Sequence, residues 1–159
     1  MRPSVKIMAG ITISVVVAIS LLLLIGPDLP LLIGTDVPFE EIDKGEISGF
    51  ETRENLTIRD REAWVSLWSE MESIESHPDE LPEVNFTREF IIAVFRGYCG
   101  SGGYWITITR ITLVSTHYVV YVEESLHGGM TTVITYPYHI VKISDQPMNL
   151  PVQFEYTYV

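Results

Sequence analysis

Cysteine and basic residues are scarce in this chain, and each shortage removes a class of protein. One Cys in 159 residues excludes a disulfide framework within the chain and any multi-Cys zinc or iron–sulfur site. Ten Lys+Arg stand against 21 Asp+Glu, a formal net charge of −11. No basic cluster offsets that field, so phosphate backbones are repelled and no nucleic-acid partner is expected. The chain is too short for a TIM barrel, a complete Rossmann enzyme or a double-barrel protease. His117, His127 and His139 are spaced unlike any compact ligand motif, so neither a metal nor a cofactor is expected.

Apolar sequence, by contrast, is abundant at one end. No charge occurs between Lys6 and Asp28, and a helix over Ile7 to Ile25 would run roughly 28 Å, close to the hydrocarbon thickness of a bilayer. A cleaved signal peptide is the rival reading, because Arg2 and Lys6 form a basic leader. The stretch exceeds the usual apolar region of such peptides, however, and ends in Ile25-Gly26-Pro27 without an A-x-A-like site. An uncleaved signal anchor over residues 7–25 is therefore expected. Arg2 and Lys6 precede it and Asp28, Asp36, Glu40, Glu41 and Asp43 follow, so the positive-inside bias puts the N-terminus in the cytoplasm and the C-terminal domain outside a cell membrane. The expected organisation is a cytoplasmic tip and transmembrane anchor at 1–26, a tether at 27–45 and an extracellular β-rich domain at 46–159. Two N-x-[ST] sequons, at Asn55 and Asn85, fall on the exterior side and are glycosylation candidates.

Residues 27–159 carry 21 acids against 8 bases, and 17 of those acids lie between Asp28 and Glu89. Three prolines and two glycines in 27–45 suit a tether; a short strand is expected at 46–51. One amphipathic helix is expected over 58–73, where Trp64, Leu67, Trp68 and Met71 share a face and Thr57-x-x-Asp60 offers a capping pattern. Two tryptophans on one face could form a ligand platform, but their spacing is that of a face packed on a sheet. Strands are expected at 89–96, an apolar run suited to a central position, and at 104–114, where the apolar phase shifts and implies a bulge near Arg110. Further strands are expected at 117–123, 130–136, 138–143 and 152–158. The fold class is α+β: a single transmembrane helix, then a small antiparallel β-sandwich or open barrel with one amphipathic helix packed on it.

The most distinctive segment is GYCGSGGYW, residues 97–105. Ser101 lacks the base and orienter of a serine-protease triad, the position two before it is Cys99 instead of the glycine of a hydrolase elbow, and no Lys follows for a phosphate loop. Cys99 would need a nearby cation or helix N-terminus to act as a nucleophile. Glu123 and Glu124 point to opposite faces of a strand and read best as solvated loop charge. No catalytic residue is assigned. The binding candidates are two glycine turns, Gly100, Ser101, Gly102, Gly103 and Tyr104, and His127, Gly128 and Gly129, because backbone at a glycine turn lets a partner approach closely.

Trp64-x-x-Leu67-Trp68, VNFTREFIIAVFRG at 84–97, SGGYWITI at 101–108, VVYVEE at 119–124 and YPYHIVKI at 136–143 occur in an order that resembles the PrcB C-terminal domain family. The resemblance implies a small β-rich domain on a surface-anchored protein, named for an accessory component of a secreted subtilisin-like protease complex. It assigns no catalytic residue. Members are often lipid-anchored through an N-terminal Cys, which this chain lacks, so its anchor would differ in kind. The expected role is a non-enzymatic binding or accessory domain for a protein partner, such as a surface or secreted protease. In an inhibitory variant, the two loops would act like the wedge of chagasin-type inhibitors. The residues leave two alternatives open: an enzyme using Cys99 or His127, or a structural envelope protein pairing through an edge strand.

Overall fold

The computed structural model describes residues 34–72 and 80–159. The expected anchor at 7–25 and the start of the tether lie outside the described residues. Among the described residues no helix is long and apolar enough to cross a membrane. The elements in chain order are β1 Thr35–Asp36, β2 Glu40–Gly45, β3 Glu54–Ile58, α1 Arg61–Glu72, β4 Glu89–Phe95, β5 Ile106–Val114, β6 His117–Glu124, β7 Tyr138–Ser144 and β8 Val152–Tyr158. They form two four-stranded sheets, ordered β1-β5-β6-β8 and β2-β7-β4-β3.

β4 shows how sequence becomes architecture. Successive strand residues face opposite sides, so an all-apolar strand needs cover on both. Phe90, Ile92 and Val94 enter the core between the sheets, with Ile106, Ile108, Ile111, Val120 and Val122 of the facing sheet. Ile91, Ala93 and Phe95 enter a second core against Trp64, Leu67, Trp68 and Met71 of α1. The tryptophan face is thus packing surface, as its spacing predicts. Trp64 lies against Trp68 at 5.2 Å between ring centroids, and its indole N–H donates to the Pro82 carbonyl at 3.1 Å. The helix starts later than expected, at Arg61, because Thr57 is committed to β3 opposite Ile92. Asp60 caps it instead, its Oδ1 accepting from the Ala63 N–H at 2.8 Å.

Four expectations are corrected. The end of the expected tether is folded: β1 pairs with β5 and β2 with β7, and buried Val37 joins the inter-sheet core as the chain crosses between sheets. That crossing closes one side of the sandwich. The expected strand at 46–51 reduces to one bridge from Ile47 to Tyr136, since Gly49 turns the chain with φ +76°. The expected strand at 130–136 reduces to bridges at Thr135 and Tyr136, because the preceding residues run beside the glycine loop, which has no ladder to extend. The sandwich is also not wholly antiparallel. β8 runs parallel to β6, Tyr118 opposite Val152, because the chain returns from β7 at the end where β6 begins.

The expected bulge is present between Ile108 and Arg110, and it supports a link between the sheets. The Ile108 N–H donates to Nδ1 of buried His139 on β7, at 2.8 Å. That ring nitrogen is therefore an acceptor and Nε2 carries the proton, facing Glu41 Oε2 at 2.9 Å. Burial holds the imidazole below the usual histidine range, with Lys44 adding to the effect and Glu41 and Asp43 opposing it.

Two outcomes are expected. Met71→Ala, which empties a fully buried site, should cost about 2–5 kcal/mol of unfolding free energy in urea titration. Because His139 binds its proton less readily folded than unfolded, its contribution is complete above the unfolded value of about 6.5 and is lost as pH falls below that. Between pH 7.5 and 5.5 the wild type should lose stability at up to about 1.4 kcal/mol per pH unit below that value, relative to His139→Gln. Parallel curves for the two proteins would refute the assignment.

Candidate functional site

The connections β4 to β5 and β6 to β7 both switch sheets. Ile106 pairs with Glu124 and Phe95 with Tyr138, so residues 96–105 and 125–137 leave and enter at one end of the sandwich. The two expected glycine turns consequently meet. The Gly129 N–H donates to the Gly102 carbonyl and the Gly102 N–H to the Thr131 carbonyl, while Cys99 and Thr135 exchange backbone bonds at 2.8 and 3.0 Å. Thr135 Oγ1 also donates to the Ser101 carbonyl, at 3.0 Å.

At the junction, backbone contact and positive φ require glycine at Gly103, while at Gly128 an added side chain would displace the Tyr104 ring. A Cβ on Gly103, whose φ is +80°, would stand 2.6 Å from the Gly129 nitrogen, and one on Gly128 would stand 2.4 Å from the Tyr104 ring. Gly102 is buried, Ser101, Tyr104 and Gly128 are half-buried, and Gly100, Gly103, His127 and Gly129 are exposed. Cys99 is buried, with its Sγ 3.7 Å from the Gly97 carbonyl oxygen. Burial pushes its thiol up, and Arg96 offsets only part of that, which disfavours the thiolate a nucleophile needs. Among the described residues no group of three or more His, Cys, Asp or Glu is placed to hold a metal ion.

Beneath the loops lies a charged cluster that the residue reading missed. Glu124, read as solvated, is fully buried. The Arg53 guanidinium embraces it with two N–H donors, Nη1 to Oε1 and Nη2 to Oε2, the latter at 2.8 Å. Arg96 Nη1 lies 3.7 Å from Oε2. The Glu124 carboxylate raises the already high pKa of Arg53 further. Arg96 Nη1 also donates to the Ser125 carbonyl at 2.8 Å, to Ser125 Oγ at 3.1 Å and to the Trp105 carbonyl at 3.1 Å, and its guanidinium lies 4.5 Å from the Tyr104 ring centre. It thereby fixes the roots of both loops. The signal was in the alternation: Tyr118, Val120 and Val122 face inward, and the next member of that series is Glu124. Phe90, Ile92 and Val94 are likewise followed by Arg96.

The sequons occupy different settings. Asn55 is within β3, its Oδ1 accepting from the Tyr156 hydroxyl across the sandwich. Asn85 is exposed in a turn, its Oδ1 accepting from the Thr87 N–H and hydroxyl. Of the nine large apolar side chains exposed among the described residues, eight lie at the loop end: Tyr98, Trp105, Leu126, Met130, Val133, Ile134, Tyr158 and Val159; Val65 on α1 is the ninth. Exposed apolar side chains on a domain surface are ordinarily scattered singly; here they are concentrated at one end.

The arrangement defines a β-sandwich domain with one covering helix and a loop end built on an ion cluster around buried Glu124. Residues 90–144, from β4 through β7, match the family described as PrcB C-terminal, and the resemblance drawn from the sequence motifs is borne out over that span. No curated protein and no solved structure matches the chain.

Removing one partner from a buried ion cluster leaves the others uncompensated. Glu124→Ala should lower unfolding free energy in urea titration by about 1–3 kcal/mol, less than for a fully buried pair because the Arg53 side chain is 40% exposed. The triple variant Arg53→Met, Arg96→Met, Glu124→Leu should recover most of the loss. A Glu124→Ala protein as stable as wild type would contradict the cluster.

Proposed function

We propose that the chain is a membrane-anchored, extracellular, non-enzymatic accessory domain whose loop end holds a protein partner, and that this partner is a surface or secreted protease. The observation that carries the reading is the concentration of exposed apolar side chains at the loop end, on loops fixed from below by Arg96. A fixed surface loses little entropy on association, which favours recognition of a folded partner. The match to the PrcB C-terminal family supports a protease as that partner. The charge-free stretch at residues 7–25, with basic residues before it and acidic residues after, supports an anchored chain facing outward. An inhibitory form of the reading inserts the Gly100–Tyr104 loop in the protease cleft, where it would slow proteolysis instead of only tethering the enzyme.

The test is photo-crosslinking of the full chain in intact cells, with the reactive side chain placed at His127 and, as a control, at Gln153 in β8. His127 should give an adduct that mass spectrometry identifies as a protease. No adduct from His127, or the same adducts from both positions, would overturn the reading.

A further inference from the structure

Residues 130–134, Met-Thr-Thr-Val-Ile, satisfy the requirements of an open sheet edge although they belong to no ladder. Thr131 and Thr135 tie the segment to Gly102 and Cys99 on one side. Those tie points are four residues apart, and the Tyr136 N–H donates the other way, to the Glu46 carbonyl, so an extended backbone between them turns the N–H groups of Thr132 and Ile134 to that other side. Among the described residues the N–H groups of Thr132, Val133 and Ile134 have no backbone partner. Four of the five side chains are β-branched, and no charge occurs from Gly128 to Tyr138. Within the five residues, the lysines, prolines and bulges that usually blunt an exposed edge are missing. Met130 is fully exposed and Val133 and Ile134 about half, so the edge offers side-chain contact as well as backbone donors.

We propose that residues 130–134 accept an extended segment of a partner protein as an added β-strand, the incoming segment being β-branched at its centre and flanked by Lys or Arg. Main-chain bonds would supply affinity and alternate side chains specificity. The flanking charge follows from a neighbour. Exposed Glu46 stands at the end of the segment, its carbonyl accepting from the Tyr136 N–H two residues further on. A second copy would bring the same Glu46 carboxylate and another net charge of −11 to the junction, whereas a basic-flanked strand relieves that repulsion. The proposal rests on the partner reading above and specifies how the loop end would engage it.

The test uses the full chain in neutral detergent and a seven-residue probe peptide, Lys-Val-Thr-Val-Thr-Val-Lys, against a version with both lysines replaced by Glu. Amide hydrogen exchange is followed residue by residue. The Lys-flanked peptide should slow exchange at Thr132 and Ile134 by about tenfold or more, and the Glu-flanked peptide should bind at least about tenfold more weakly. Thr132→Pro, which deletes one outward donor, should abolish the protection while β4 amides stay protected as in wild type. Val133→Lys keeps every N–H and should weaken the Lys-flanked peptide by charge, so the idea stays testable if the proline variant unfolds. Equal protection by both peptides, no protection by either, or protection that rises with protein concentration alone would overturn the proposal; the last would assign the edge to a second copy. If the protease adduct at His127 persists in Thr132→Pro, strand addition fails while the partner reading stands. Peptide protection without any adduct in cells overturns the partner reading alone.

Discussion

The burial of β4 on both faces is the constraint from which the architecture follows. A strand whose residues are apolar without alternation has no solvated side, so a second sheet must cover one face and a helix the other. The facing sheet supplies Ile106, Ile108 and Val120, and α1 supplies its two tryptophans and Met71. Because β4 pairs with both β7 and β3, its position settles the register of its whole sheet. Its C-terminal end then decides where the glycine loop begins. The loop end is in this sense a consequence of the core: both sheet-switching connections start where two inward-facing apolar series stop.

The same geometry makes the two open sides of the sandwich different. One is closed by the chain itself as it passes through Val37 and Phe39 between the sheets. The other is closed by side chains. Arg53, Asn55 and Arg59 alternate along the inner side of β3 and its flanks, reaching Glu124, Tyr156 and the Met148 and Leu150 carbonyls. Polar groups brought into such a seam must find partners or pay a desolvation penalty. Here the longest arms are the two guanidiniums, at the two ends of the seam, each with paired donors and matched acceptors. Arg53 therefore contributes at once to closing the sandwich and to neutralising the carboxylate beneath the loops.

Much of this was legible in the residues, and what was not has a common physical reason. The tryptophan face of α1, the central strand at β4 and the bulge at Ile108–Arg110 are local signals, set by spacing over a few residues, and they appear where they were expected. The strands β1 and β2 were hidden because their partners, β5 and β7, lie far along the chain, and the acidic run Glu40-Glu41-Ile42-Asp43 looks solvated until the pairing is known. Residues 130–136 failed in the opposite sense. Their β-propensity is high, but a strand exists only where a ladder accepts it, and their neighbour is a glycine loop. The parallel sense of β8 depends on which end the chain returns to, which no local pattern records. Of the candidate site, the glycine turns were legible, whereas their meeting was not. Glu124 and Arg96 continue visible alternations, but a lone charge at a strand end reads as solvated until the opposite charge is seen opposite it.

Charge and exposed apolar surface lie on different parts of the domain. The outward face of α1 carries Glu62 and Glu70, both exposed, which keeps that side hydrated and separate from other acidic surfaces. The loop end is the reverse: uncharged from Gly128 to Tyr138, apolar on its exposed side chains, and backed by a cluster in which Glu124 is paired with Arg53 and lies near Arg96. A surface of this kind gains from association because water leaves apolar side chains, while the ion cluster beneath is already paired and need not be desolvated again. The glycine junction adds a steric limit, since a Cβ at Gly103 or Gly128 collides with the opposing loop. Shape at that end is thus held by backbone contact from above and by Arg96 from below. In the proposed role, a surface held in this way would discriminate among partners by fit, leaving long-range charge to act on their approach.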